Sequence, residues 1–119
     1  EKGDRVGKAL SALKSQEEAL IKAKKVVEKA KTVCSRNGWG LVGAYLVGSR
    51  ARGDYVTESD IDIVLVVRGI EKLNTLERLT MFKEVLEPGV ELFVYTPEEW
   101  LSSESLWIIE LRREAVVLS

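Results

Sequence analysis

The sequence contains no histidine and a single cysteine, Cys34, among its 119 residues. These two shortages exclude an intrachain disulfide, a zinc site built from cysteine and histidine, and any catalytic triad that needs a histidine base. Cys34 lies in a helical pattern, where the usual interpretation is a small, buried apolar residue. A chain without disulfides is compatible with the reducing cytoplasm, which is the location that we expect.

Long apolar runs and an excess of one charge are also absent. No run approaches the ~20 residues needed to span a bilayer, and the charged amino end carries no signal-peptide pattern, so no membrane partner is expected. The 18 basic and 19 acidic residues give a net charge of −1. A nearly neutral chain has no bulk attraction for nucleic acid, so any nucleotide must be bound by a local site.

The composition favours one globular domain with a modest core, because hydrophobic residues make up 45% of the chain. We therefore expect a single domain over residues 1–119, with residues 1–16 as an extra amino-terminal helical segment. The sequence pattern over residues 4–36 predicts a helix, and we expect the part of it from about Glu17 to Val33 to pack on the rest of the domain. The alanine-rich stripe at its start is a candidate surface for a homodimer.

Strand and helix patterns alternate over the rest of the chain. Apolar runs predict strands, a leucine-rich stripe and a Thr-Pro-Glu-Glu start predict helices, and the carboxyl end predicts a short edge strand. In chain order these elements are strands at Leu41–Val47 and Ile61–Val67, a helix over 73–86, a strand at Val90–Tyr95, helices from Thr96 and over 106–113, and an edge strand over 115–118. Together they predict an α+β fold with one small mixed β-sheet backed by helices.

The most informative stretch joins the first two strands and reads GSRARGDYVTESDID, from Gly48 to Asp62. Asp60 and Asp62 are two residues apart at the start of a strand, so their side chains project from the same face. Two carboxylates at the mouth of an apolar strand suit a divalent cation, which takes oxygen ligands and leaves positions open for phosphate. The Gly48-Ser49 turn supplies backbone N–H groups and a hydroxyl for phosphate oxygens.

Three further residues complete the predicted site. Either Arg50 or Arg52 could neutralise a triphosphate, since arginine grips phosphate with two hydrogen bonds, and the other would then be structural. Glu91 begins the third strand and would face Asp60 and Asp62 if that strand pairs beside the second.

The segment Gly48–Asp62 resembles the signature of the minimal nucleotidyltransferases, within the DNA polymerase β-like superfamily. The resemblance rests on a Gly-Ser pair that is separated by ten residues from an Asp-x-Asp motif, with an apolar run on either side. Glu91 stands where the family most often has a later aspartate. The resemblance implies the polymerase β-like palm fold and two Mg²⁺ ions held by Asp60, Asp62 and Glu91. It further implies ATP as donor, bound through Gly48 and Ser49, with AMP passing to a hydroxyl group as pyrophosphate leaves.

The resemblance also suggests what accepts the nucleotide. Minimal nucleotidyltransferases are frequently paired with helical HEPN proteins, in which the HEPN protein is a toxin and the transferase is an antitoxin that modifies a HEPN tyrosine. A HEPN-type partner is therefore the expected acceptor. Two alternatives stay open: transfer to a small molecule with an aminoglycoside-like hydroxyl, and a non-catalytic module that neutralises its partner by occlusion. Trp100 and Trp107 are candidates either for a partner interface or for the core.

Overall fold

A computed structural model describes the backbone of residues 2–119 and the side chains of residues 6–119; Glu1, the first residue of the predicted amino-terminal segment, lies outside the described part. The secondary structure follows the predicted order. The elements are α1 (Lys2–Asn37), β1 (Gly40–Val47), α2 (Ser49–Arg52), β2 (Ile61–Arg68), α3 (Thr75–Met81), a 3₁₀ turn (Lys83–Val85), β3 (Val90–Tyr95), α4 (Pro97–Ser102), α5 (Leu106–Glu114) and β4 (Val116–Val117).

The four strands form one mixed sheet in the order β3-β2-β1-β4. Strand β1 is antiparallel to both β2 and β4, whereas β2 and β3 are parallel. The amino ends of β2 and β3 therefore lie at the same edge of the sheet as the carboxyl end of β1. The predicted α+β class, the mixed sheet and the short edge strand at the carboxyl end are confirmed.

Helices cover both faces of the sheet, which explains the near-continuous apolar sequence of β2. On one face, Ile63 and Leu65 of β2 pack against α1 and the 3₁₀ turn. On the other face, Val64 and Val66 pack against Trp100 of α4 and residues of α5. The residues of β2 thus alternate between two separate apolar layers, and Asp62 shares the face that α4 and α5 cover.

Helix α1 contributes to the core through its second half. Its buried apolar side chains lie between Ala19 and Cys34, close to the predicted range, and burial raises the pKa of the Cys34 thiol. At the other end, Val6 and Leu13 are each 58% exposed, although their spacing of seven residues puts them on the same side of the helix as Val27 and Cys34, which are buried. The 36 residues of α1 account for the longest dimension of the molecule, 55 Å.

Helix α3 is shorter than the leucine stripe predicted. It ends at Met81, and Leu76, which the stripe placed inward, is 73% exposed. Phe82 and Val85 in the following 3₁₀ turn provide the buried contacts instead. Seven residues make only two helical turns, so a stripe drawn on one regular helix does not continue through the 3₁₀ turn.

A buried arginine connects α3 to the start of α4. Thr96 caps α4 as predicted, and the Glu99 side chain accepts a hydrogen bond from the Thr96 N–H, completing a capping box. Arg78 is 7% exposed and donates to the Glu99 carboxylate at 2.5 Å. This pair fixes the helix that carries Trp100 against the sheet.

Candidate active site

The acidic residues and the Gly-Ser turn meet at one edge of the sheet. Asp62 pairs with Val47 at the end of β1 on one side and with Glu91 of β3 on the other. Paired residues of neighbouring strands project from the same face, so the pairing that was predicted conditionally for Glu91 is present. Gly48 follows Val47 directly and therefore lies beside Asp62.

Gly48 is the point of closest approach between the turn and the carboxylates. Its backbone has φ +76° and ψ −159°, a region that is essentially restricted to glycine. A Cβ at this position would overlap Oδ2 of Asp62 and lie 3.2 Å from its Cγ. Glycine is therefore required twice, once for the backbone conformation and once because the Asp62 carboxylate packs against its Cα.

The Asp62 carboxylate has electrostatic properties that suit a cation. Burial raises its pKa, and the nearby carboxylates of Glu91, Asp60 and Glu114 raise it further. Its Oδ1 atom is buried and has no hydrogen-bond partner among the described residues. A buried acceptor surrounded by negative charge is costly for the protein alone, and a divalent cation would satisfy it.

The other two predicted ligands, Asp60 and Glu91, are both exposed, and both contribute to the negative potential at Asp62. Asp60 borders the same cavity as Asp62, whereas Glu91 borders a neighbouring pocket that shares Phe93 with it. Within residues 6–119, no three acidic, cysteine or histidine side chains are grouped tightly enough to hold a metal ion. The donor set of three carboxylates nevertheless fits Mg²⁺ in chemical type, and two of them, Asp62 and Glu91, lie opposite each other on neighbouring strands.

Glu114, near the carboxyl end, occupies the donors of the Gly-Ser turn. Its Oε1 accepts from the Gly48 N–H at 2.8 Å, and its Oε2 accepts from Arg52 Nη1 at 2.8 Å. No local sequence pattern indicates this role, since Glu114 lies 66 residues from Gly48. A carboxylate held by a backbone N–H and a guanidinium marks a position that also suits a phosphate oxygen.

The two arginines of the turn have different surroundings. Arg52 borders the same cavity as Ser49, Asp60 and Asp62. Arg50 is 5% exposed and points away from this cavity. Its guanidinium donates to side chains of α1 and to backbone carbonyls of the loop before β2; the acceptors are Ser15 Oγ, Gln16 Oε1, Thr57 O and Ser59 O.

Arg50 therefore fastens the loop that carries Asp60 to the amino-terminal half of α1. The sequence left open which of the two arginines would be structural, and the surroundings favour Arg50 for that role. Among the predicted phosphate-side residues, the fold brings Gly48, Ser49 and Arg52 to the cavity and leaves Arg50 behind it.

The cavity at this edge has a volume of about 500 Å³ and two chemically different ends. The turn and the aspartates form the polar end. Phe93, Trp107 and Leu111 form an apolar wall, and Glu110 and Glu114 of α5 border it. Of the two tryptophans singled out from the sequence, Trp100 is buried in the core and Trp107 is 56% exposed at this cavity.

The family profile of the nucleotidyltransferase domain matches residues 26–113 of this chain. The match covers more than half of the sequence and includes the Gly-Ser turn, Asp60, Asp62 and Glu91. This chain belongs to the nucleotidyltransferase domain family. The nucleotidyltransferase assignment, the polymerase β-like fold and the class of enzyme agree with what the motif predicted.

A solved structure supports the same assignment. A candidate nucleotidyltransferase from Sulfolobus solfataricus is 34% identical in sequence, with a TM-score of 0.71 over 90% of this chain and 85% of that chain. A comparison with curated proteins finds no match to this nucleotidyltransferase. Across residues 2–119, no helix is both long enough and apolar enough to cross a membrane.

Proposed function

We propose that this nucleotidyltransferase moves AMP from ATP to a hydroxyl acceptor with the help of Mg²⁺. The observation that carries the proposal is the contact between the Gly-Ser turn and the buried carboxylate of Asp62. A phosphate-binding turn and a cation-binding carboxylate that touch each other are suited to a polyphosphate with its metal, and to few other ligands.

Each residue of the site has a defined task in this scheme. Gly48 and Ser49, which both border the cavity, bind the terminal phosphates, and the Ser49 N–H at the start of α2 is one of the donors that a helix leaves unused. Arg52 neutralises phosphate charge as it exchanges Glu114 for the nucleotide. Asp60, Asp62 and Glu91 would hold two Mg²⁺ ions, which neutralise the triphosphate and favour ionisation of the acceptor hydroxyl.

The chain's own residues position the reacting groups, which is the main requirement of phosphoryl-type transfer. The acceptor oxygen attacks the α-phosphorus in line, its bond to phosphorus forms as the bond to the pyrophosphate oxygen breaks, and Glu91 would help to take the acceptor's proton. No histidine is needed for any of these tasks.

The acceptor that we favour is a tyrosine of a HEPN-type partner, in a toxin–antitoxin pair. Exposed apolar residues lie on α4 and α5, with Leu101 65% and Leu106 79% exposed, and α5 also carries the exposed Trp107 of the cavity. Exposed apolar residues on a helix that borders an active site suit a protein acceptor better than a small sugar-like molecule. The homodimer predicted through α1 stays a prediction, supported by the exposed Val6 and Leu13, and sedimentation of a monomer at high concentration would remove it.

The experiment is incubation with ATP labelled at the α-phosphate, Mg²⁺ and a candidate acceptor. The acceptors to compare are a HEPN-type protein encoded beside this chain, the same protein with its tyrosines replaced, and an aminoglycoside. We expect label on the HEPN protein, lost with its tyrosines and lost with Asp62→Asn. Label on the aminoglycoside alone would support small-molecule transfer, and tight HEPN binding without label would support neutralisation by occlusion.

A further inference from the structure

We propose that the aromatic residues of the cavity wall, Phe93 and Trp107, bind the nucleobase, with the Trp107 indole as the stacking surface. This inference rests on the proposed function, because it requires the triphosphate to occupy the polar end of the same cavity. It assigns a role to an exposed aromatic residue that neither the metal site nor the phosphate turn uses.

Trp107 is exposed but held in place. Its side chain is 56% exposed, while its Nε1 atom donates a hydrogen bond to the Tyr95 hydroxyl at 3.2 Å. The Phe93 ring packs against it edge-on, with the ring centroids 5.8 Å apart and the planes at 63°. An aromatic ring that is fixed at its edge and open on its surface loses little entropy when another flat ring stacks on it.

The other two tryptophans differ in this respect. Trp100 is 4% exposed and stacks on Tyr45 inside the second apolar layer. Trp39 is partly buried and packs against Phe82 at the opposite face of the sheet. Trp107 is therefore the tryptophan that can offer an indole to a ligand at the active site.

The charges around the cavity determine which end receives which part of a nucleotide. Arg52 and the backbone N–H groups lie at the polar end, together with the carboxylates that would hold Mg²⁺. The aromatic end is bordered by Glu110, which would repel a phosphate but can accept hydrogen bonds from the N–H groups at the edge of a base. A volume of about 500 Å³ lies within the range of pockets that bind such ligands.

The experiment compares ATP with tripolyphosphate, which has the same charged chain but no base. Binding of each, with Mg²⁺, is measured by calorimetry for the wild-type protein, Trp107→Leu and Trp107→Phe. Leu106→Ala is the matched control, because Leu106 is the adjacent residue, is 79% exposed and does not border the cavity. Base–aromatic stacking contributes about 1–3 kcal/mol, which corresponds to a roughly 5- to 150-fold change in affinity.

We expect Trp107→Leu to weaken ATP binding by that factor and to leave tripolyphosphate binding unchanged, with Trp107→Phe in between and Leu106→Ala without effect. Unchanged ATP binding by Trp107→Leu would overturn the inference, and so would an equal loss for both ligands. The proposed function fails separately, if the wild-type protein binds neither ligand in a Mg²⁺-dependent way. Loss of HEPN binding with ATP binding intact would assign Trp107 to the protein interface instead.

Discussion

Replacing Gly48 with alanine tests the geometry of the active site most severely. The Gly48 backbone lies in a region where other residues cost about 1–3 kcal/mol. The added Cβ would also overlap Oδ2 of Asp62, so the carboxylate must rotate away from its position. We expect the free energy of unfolding to fall by at least that amount, which lowers the melting temperature by roughly 5–15 °C in a domain of this size.

The functional loss should exceed the loss of stability. The rotated Asp62 no longer presents its oxygens to the cation, so we expect Mg²⁺-dependent ATP binding to weaken by at least about tenfold, or 1.4 kcal/mol, at a temperature where the variant stays folded. Thermal melting followed by circular dichroism measures the first effect, and calorimetry with ATP and Mg²⁺ measures the second.

Gly53→Ala is the control, because Gly53 lies in the same loop with φ +93° and open space around its Cα. It carries the backbone strain without the contact to Asp62, so it should lower the melting temperature and leave ATP affinity unchanged. If Gly48→Ala and Gly53→Ala lose the same stability and both bind ATP normally, the close packing of the turn on Asp62 has no functional importance and the reasoning is refuted.

Three further predictions concern residues that support the site. Arg50→Lys removes the planar fork that joins the loop to α1, so we expect a loss of about 1–3 kcal/mol in urea unfolding; an unchanged midpoint would contradict this role. Glu114→Gln weakens the acceptor that competes for the Gly48 N–H, so calorimetry should show ATP binding tighter by about 1 kcal/mol, or roughly fivefold; weaker binding would show that Glu114 orders the turn instead. Burial is the largest influence on the pKa of Glu99 and would raise it, but the hydrogen bonds from Arg78 and Thr96 and the Arg78 charge together outweigh burial and lower that pKa. The carboxylate therefore stabilises the fold above its ordinary pKa and loses this effect as the pH falls through the lowered value. Glu99→Gln should therefore cost stability at pH 7 and much less in acid, and an equal difference at both pH values would exclude the ion pair as the cause.

The strands and the relative placement of the acidic residues were predictable because their signals are local. Apolar runs ended by glycine or by acids define β2 and β3, and the two-residue period placed Asp60 and Asp62 on one face. The position of Glu91 followed once the two strands were assumed to pair. Strand formation and the side to which a strand residue projects both follow from the two-residue period of the backbone, which the order of apolar and acidic residues shows directly.

The phosphate side was less predictable, because it depends on how one helical turn is oriented. Arg50 and Arg52 are two positions apart, and a helix rotates side chains by about 200° over that distance, so one faces the cavity and the other faces α1. The sequence shows two equivalent arginines, and only the packing of α1 distinguishes them. Glu114 was missed for a related reason: its partners come from the distant Gly-Ser turn.

Calorimetry of ATP binding to the wild-type protein and to Asp62→Asn, each with Mg²⁺ and with EDTA, tests directly whether Asp62 binds the cation that holds the nucleotide. Asp62 carries the buried oxygen without a hydrogen-bond partner among the described residues, so the cation should bind there and bring the triphosphate to Gly48 and Ser49. We predict binding only for the wild-type protein with Mg²⁺. Binding that is equal for both proteins, or equal with and without Mg²⁺, would contradict the assignment of this edge of the sheet as the nucleotide site.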